Sequence, residues 1–203
     1  MTPIETIVFD LGNVLLPFNW DLAADRFCAR CGCDRRRLDD YIVTTPFVQQ
    51  LALGQMTKEK FFQRLAGDFS FPGDYDEFAR LWSDIFTEDQ DMTGQAARLK
   101  GRYRRYILSN TNAIHIEFIL SRYPFMRDFE GHIFSQEVGL EKPDPQIYRL
   151  TAAKFGLTPA RTVFIDDILA NIEAARAEGW HGIHHQSGAQ TRAELTKLGV
   201  TPI

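Results

Sequence analysis

No apolar run in the sequence approaches the roughly 18 residues needed to cross a bilayer, so a membrane-spanning helix is not expected. Basic residues are not in excess either. Lys and Arg number 23 against 27 Asp and Glu, for a formal net charge of -4, which leaves no electrostatic footprint for nucleic acid. The N-terminus reads Met1-Thr2-Pro3, without the basic patch and apolar core of a secretory signal, and a cytoplasmic protein is expected. Internal repeats and low-complexity tracts are absent. The three cysteines, Cys28, Cys31 and Cys33, all fall in "FCARCGCD". A structural zinc site takes four ligands, commonly in two pairs; here there is no second pair, and His115 is the next histidine along the chain. The segment reads instead as a helix end capped by Gly32. An odd thiol count also argues against a disulfide framework.

What remains is an ordinary globular composition, 44% hydrophobic and 25% charged. The 203 residues suffice for one domain of about 150 residues plus a large insertion. Five short runs have strand character: "TIVFD" (6–10), "RRYILSN" (104–110), "HIFSQ" (132–136), "TVFIDD" (162–167) and "WHGIHH" (180–185). Helix-like stretches separate the last four, at 113–123, 145–156 and 169–179. Alternation of this kind predicts an α/β fold built on a Rossmann-like parallel sheet covered on both faces. Strands buried on both faces read as continuous apolar runs, as these do. Residues 18–90 contain no convincing strand. There "KEKFFQRLAGDF" (58–69) and "DEFARLWSDIF" (76–86) have helical periodicity, and the second is predicted to place Phe78, Leu81, Trp82, Ile85 and Phe86 on one face. The prediction is a helical cap at 16–90, inserted into a core formed by 1–15 and 91–203. Its aromatic stripes are expected to form its own core.

In an open parallel sheet, ligands bind outside the carboxyl ends of the strands. The first run closes on Asp10, the second on Ser109-Asn110-Thr111-Asn112 and the fourth on Asp166-Asp167, while "GLEKPDP" after the third contributes Lys142. Taken singly, each has a plain alternative: a strand-end Asp often caps the next helix, and a lysine is usually solvated. Together they gather several carboxylates, a hydroxyl and a lysine around one crevice. Neighbouring carboxylates repel, and such clustering usually means a bound cation.

The ordered segments "FDLGNVL", "LSNTN", "EKPDPQIY" and "VFIDDILANIEAA" resemble the four motifs of the haloacid dehalogenase superfamily. The subgroup they resemble most is that of small-molecule phosphatases akin to glucose-1-phosphate phosphatases and the N-terminal domain of soluble epoxide hydrolase. The resemblance spans essentially the whole chain, including the helical insertion. It implies a Mg²⁺-dependent phosphomonoester hydrolase acting on a small phosphorylated metabolite. Asp10 would be the nucleophile and form an aspartyl-phosphate that water hydrolyses. Asp10, the backbone carbonyl of Gly12 and Asp167 would hold Mg²⁺. Lys142 would add positive charge, Ser109 and the amide of Asn110 would bind phosphate oxygens, and Asp166 with Asn171 would orient the metal's water ligands. Nucleic acid and membrane partners are not expected, and a protein partner is not specified.

Two positions depart from the superfamily pattern. Most of its phosphatases carry a second aspartate two residues after the nucleophile, which protonates the leaving group; here that place is Gly12. Loss of such an acid is worth on the order of 10²–10⁴ in rate. The resembled subgroup also has D-x-G-N there. The glycine predicts a preference for leaving groups that need little protonation. In the insertion, relatives often carry Glu two residues before the glycine matching Gly54, whereas this chain has Ala52. Two rival readings stand beside the phosphatase. One is a 2-haloacid dehalogenase, which needs no metal and leaves the Asp166-Asp167 pair without a neutralising cation. The other is a catalytically weak domain that binds a phosphorylated ligand or a protein, which Gly12 keeps open.

Overall fold

The three central strand-like runs become strands because their alternate side chains find apolar cover on opposite sides. In the computed structural model, which describes residues 2–201, the strands are β1 (Thr6–Phe9), β2 (Arg104–Ser109), β3 (Gly131–Phe134), β4 (Thr162–Asp166) and β5 (His181–His184). They form one sheet in the order β3-β2-β1-β4-β5, and every pairing is parallel. The central β1 registers Phe9 against Ile107 of β2 and Ile165 of β4.

The crossovers supply the covering helices: α6 (Gln90–Arg98), α7 (Ala113–Arg122), α8 (Ser135–Val138), α9 (Pro145–Phe155), α10 (Leu169–Ala177) and α11 (Gly188–Lys197), in chain order after five earlier ones, α1 (Trp20–Cys31), α2 (Arg35–Thr44), α3 (Phe47–Ala52), α4 (Lys58–Phe69) and α5 (Tyr75–Ser83). On one face of the sheet, Ile7, Phe9 and Ile165 pack with Met92, Ile119 and Leu195 from α6, α7 and α11. On the other, Val8, Leu108 and Phe164 pack with Tyr148 of α9 and Ile172 of α10. A side-chain period of two on a strand buried from both sides makes both sets apolar.

Helices α1–α5 have a separate core. Phe27 lies stacked 5.5 Å from Phe71 and edge-on 5.6 Å from Phe69, while Phe61 meets Trp82 at 5.5 Å. Ile114 of α7 joins this cluster, so the insertion rests on the helix that follows β2. Leu16, by contrast, belongs to the core beneath the sheet. Gly32 caps α1 with φ 67, in the left-handed region that glycine reaches without steric cost. The Cys28 and Cys33 sulfurs lie 3.1 Å apart as free thiols. Burial pushes Cys28 up to about 12 and Cys31 up to about 11, so neither is a thiolate nucleophile at neutral pH.

Two details differ from the sequence reading. The strands stop one or two residues sooner: Asp10, Asn110, Gln136 and Asp167 lie beyond them. The helix expected over 76–86 ends at Ser83, so Ile85 and Phe86 are not on it. The reason is the return of the chain. Thr87 N–H donates to the Pro17 carbonyl at 2.8 Å, Asn19 N–H donates to that of Ile85 at 3.1 Å, and Phe18 and Phe86 pair in an antiparallel bridge. The chain thus enters and leaves the helical insertion through one two-stranded neck, and a further helical turn would pull Phe86 out of it.

Candidate active site

The sheet order places the ends of β2, β1 and β4 side by side, and there the chain carries its polar residues. Asp10 continues the ladder for one bond, its N–H donating to the Ile165 carbonyl at 2.8 Å. Its side chain then turns into the crevice, where Oδ1 accepts from Leu11 N–H at 2.7 Å. One oxygen from each of Asp10, Asp166 and Asp167 lies within 4.8 Å of the others. Lys142 Nζ sits between two of them, 2.8 Å from Asp10 Oδ1 and 2.6 Å from Asp166 Oδ2.

Lys142 arrives from the loop between α8 and α9, and Asn110 fixes that loop. Its side-chain Nδ2 donates to the Lys142 carbonyl at 2.8 Å, and Lys142 N–H donates to its Oδ1 at 2.8 Å. Asp166 is fully buried and saturated: besides Lys142, it accepts from Asn171 Nδ2 at 3.0 Å and from Ile168 N–H at 2.7 Å. Asn171 therefore touches Asp166 alone of the three carboxylates. Asp167 is only half-buried, and its Oδ2 accepts from Asn13 Nδ2 at 3.1 Å. Asn13 holds this pose from a left-handed turn with φ 52, a conformation asparagine tolerates better than most side chains.

Burial pushes Asp10 up to about 6, against the pull of Lys142, and Asp166 adds to the push. Burial also works against the Lys142 charge, but Asp10 and Asp166 outweigh it and hold the ammonium above its usual range. One lysine facing three carboxylates leaves two negative charges uncompensated. Hard oxygen donors with that deficit fit a divalent cation such as Mg²⁺.

Ser109 and Gly12 border a cavity of about 240 Å³ together with Asn110, Phe18, Phe86 and His115. Ser109 Oγ has no hydrogen-bond partner among the described residues and stays free for a ligand. Asn112, part of the predicted cluster, is a helix cap: its Oδ1 accepts from Ile114 and His115 N–H, both at 3.1 Å. Its Nδ2 lies 3.2 Å from His115 Nδ1, and the Phe86 ring stands edge-on to the imidazole at 5.2 Å. Burial pushes His115 down to about 4, while the Trp82 carbonyl opposes this only in part.

The His115 shift has a signed consequence. The unfolded chain takes up a proton near pH 6.5 that the native state refuses until about 4, so stability from this residue is complete above pH 6.5 and is lost as pH falls. Between pH 7 and 5 the loss is on the order of 2 kcal/mol. His115→Gln is expected to remove that share, and urea denaturation at the two pH values measures it. An undiminished pH dependence in the variant would show that His115 protonates freely when folded.

Sequence reasoning missed Asn13, Phe18, Phe86 and His115. For Asn13 a signal existed: asparagine directly after glycine at a strand end marks a tight turn. Phe18 and Phe86 meet only through the neck.

A family model for haloacid dehalogenase-like hydrolases matches residues 4–179. With this parallel sheet, the inserted helices and the strand-end carboxylates, the chain belongs to the haloacid dehalogenase-like hydrolases. It is 29% identical to the D-ribitol-5-phosphate phosphatase of Bacteroides thetaiotaomicron over 203 residues, covering 96% of this chain and 98% of that one. It is 27% identical to a sesquiterpene phosphatase of Aspergillus oryzae, covering 97% of each. Among solved structures, a haloacid dehalogenase family enzyme of B. thetaiotaomicron, in complex with magnesium and inorganic phosphate, superposes with TM-score 0.84 over 91% of this chain and 96% of that one. At 22% identity, that last likeness speaks for the fold.

Proposed function

We propose that the protein is a Mg²⁺-dependent phosphatase that cleaves a small phosphorylated metabolite by way of a phosphoenzyme on Asp10. The observation that carries this reading is the group of three carboxylate oxygens within 4.8 Å of one another, with one buried lysine bridging Asp10 and Asp166. That pair of relatives, each a phosphatase of a phosphorylated small molecule by name, supports it. In this reading Asp10, the Gly12 carbonyl and Asp167 hold Mg²⁺. When bound, the ion relieves the repulsion between carboxylate and phosphate and stabilises charge on the phosphoryl oxygens.

The chain's own residues do the rest. Asp10 attacks phosphorus; the bond from phosphorus to the ester oxygen breaks as the new bond to Oδ forms. Water then attacks the phosphoenzyme, freeing phosphate and restoring the carboxylate. Lys142 and the Ser109 hydroxyl donate to the phosphoryl oxygens, joined by the backbone N–H of Asn110. Asn171 and Lys142 fix Asp166, Asn13 steadies Asp167, and helices α1–α5 with the neck cap the crevice. No acid stands at Gly12 to protonate the departing oxygen, so leaving groups that need little protonation are expected to react fastest. The dehalogenase reading fares worse, because it leaves two carboxylate charges unanswered.

The family and the free thiols suit a reducing cytoplasm, and among the described residues no helix is long and apolar enough to cross a membrane.

The test is turnover of p-nitrophenyl phosphate with Mg²⁺ and with a chelator; equal rates would sink the metal-dependent mechanism. Mg²⁺ is also expected to raise the melting temperature. At a hundredfold excess over Kd the gain is about 2.7 kcal/mol. Asp167→Asn is expected to remove most of that shift while retaining the metal-free melting temperature, and differential scanning calorimetry checks both.

A further inference from the structure

The cavity beside Ser109 and Gly12 has an unusual balance. Leu11, Phe18, Ala52, Phe86 and Ile119 supply its walls, and of its five polar side chains two, Asn110 and Asn112, are already engaged at both ends. Asn110 spends both ends of its amide on the Lys142 backbone. Asn112 is used up by the α7 cap and by His115. The Thr111 backbone N–H and carbonyl both bond to Ser135 Oγ at 2.9 Å. His115 Nδ1 accepts from Asn112 Nδ2, and its Nε2 is buried without a partner among the described residues. The hydroxyls of Ser109 and Thr111 are unpaired among the described residues, and that of Ser109 stands at the phosphate end.

Gly12 sharpens the picture. A Cβ built there would lie 3.2 Å from Phe18 Cε1. The space where a side chain at 12 would project is thus covered by an aromatic ring. Ala52, at the end of α3, adds a methyl group to the cavity wall.

We propose that this cavity receives the alcohol portion of the substrate and selects a phosphomonoester of an apolar alcohol over that of a polyol. The inference rests on the phosphatase reading above. A polyol entering the cavity gives up water around several hydroxyls and finds only the hydroxyls of Ser109 and Thr111 unpaired at the surface in return. An apolar skeleton loses nothing there and displaces water from walls that bond it poorly.

The experiment compares two primary alkyl esters of similar size, 2-phenylethyl phosphate and erythritol 4-phosphate, by phosphate release with Mg²⁺. Both have basic leaving groups, so the missing acid at Gly12 handicaps both. The phenylethyl ester is expected to have kcat/KM about 100-fold higher, within the range apolar pockets achieve. Ala52→Glu is expected to cut that ratio at least tenfold, about one factor of ten in transition-state binding, through a raised KM for the phenylethyl ester. If Ala52→Glu does not fold, the comparison in the native protein still decides. Turnover of p-nitrophenyl phosphate with equal or better use of the polyol ester would overturn the inference and leave the phosphatase reading standing. Silence toward all three esters would overturn the phosphatase reading itself, and this inference with it.

Discussion

Asp10→Asn is expected to lower phosphatase turnover by about four orders of magnitude or more, the scale on which loss of a covalent nucleophile is felt. The amide is nearly isosteric with the carboxylate, and its oxygen can still accept from Lys142 Nζ and Leu11 N–H, which meet Asp10 Oδ1 at 2.8 and 2.7 Å. What it lacks is the lone-pair density needed to attack phosphorus. Removing one buried carboxylate also eases the crowding with Asp166 that helps push Asp10 up to about 6. The variant should therefore melt no lower than the native protein in the absence of metal. Initial rates with p-nitrophenyl phosphate, paired with a thermal melt, separate chemistry from folding. A folded Asp10→Asn protein working at the native rate would falsify the covalent mechanism.

The largest effect on stability is expected at Lys142. Its side chain is 1% exposed, and its two carboxylate partners are 9% and 0% exposed. A buried ion pair is not in itself evidence of stabilisation, since desolvating the ions costs several kcal/mol each. Breaking one is another matter: Lys142→Met leaves Asp10 and Asp166 facing each other without a cation. Such a loss costs about 3–5 kcal/mol, or very roughly 10 °C in a chain of this size. The sign with pH is also fixed. A carboxylate raised in the folded state favours folding below its unfolded value of 3.8, and that advantage disappears as pH rises through the folded value. The Lys142→Met penalty should accordingly be smaller at pH 5 than at pH 8, with Mg²⁺ restoring part of it at pH 8. A penalty independent of pH would mean that packing, not charge, is what Lys142 contributes.

These residues were legible in the sequence to different degrees. Asp10, Ser109 and Asp166 could be found because a parallel sheet exposes its carboxyl ends, and apolar runs locate those ends to within a residue or two. Lys142 could not be placed by periodicity, since its loop is held by the side chain of Asn110, an interaction across 32 positions. Its place after the third strand marks it as a candidate for the crevice, and the family resemblance gives it a role there. For Asn110 the sequence points to a phosphate donor, and what it does not reveal is the second task of the side chain, which bonds the Lys142 backbone at both ends. The cavity wall was the least legible part. Phe86 belongs by spacing to the face of α5, yet the neck takes it off that helix and sets its ring centroid 6.0 Å from that of Phe18. A local pattern reports on one element at a time, whereas that contact depends on where the chain comes back.

The neck itself has one more consequence. Because Pro17 and Thr87 are joined by a hydrogen bond of 2.8 Å, the sheet meets the whole insertion as though it were a short hairpin loop. Changes between those two residues that keep the packing of the insertion on Ile114 of α7 are expected to leave β1 and α6, and with them Asp10, in place. The cleavage machinery and the surface that chooses what is cleaved are therefore separable inheritances, able to diverge at different speeds within a single chain.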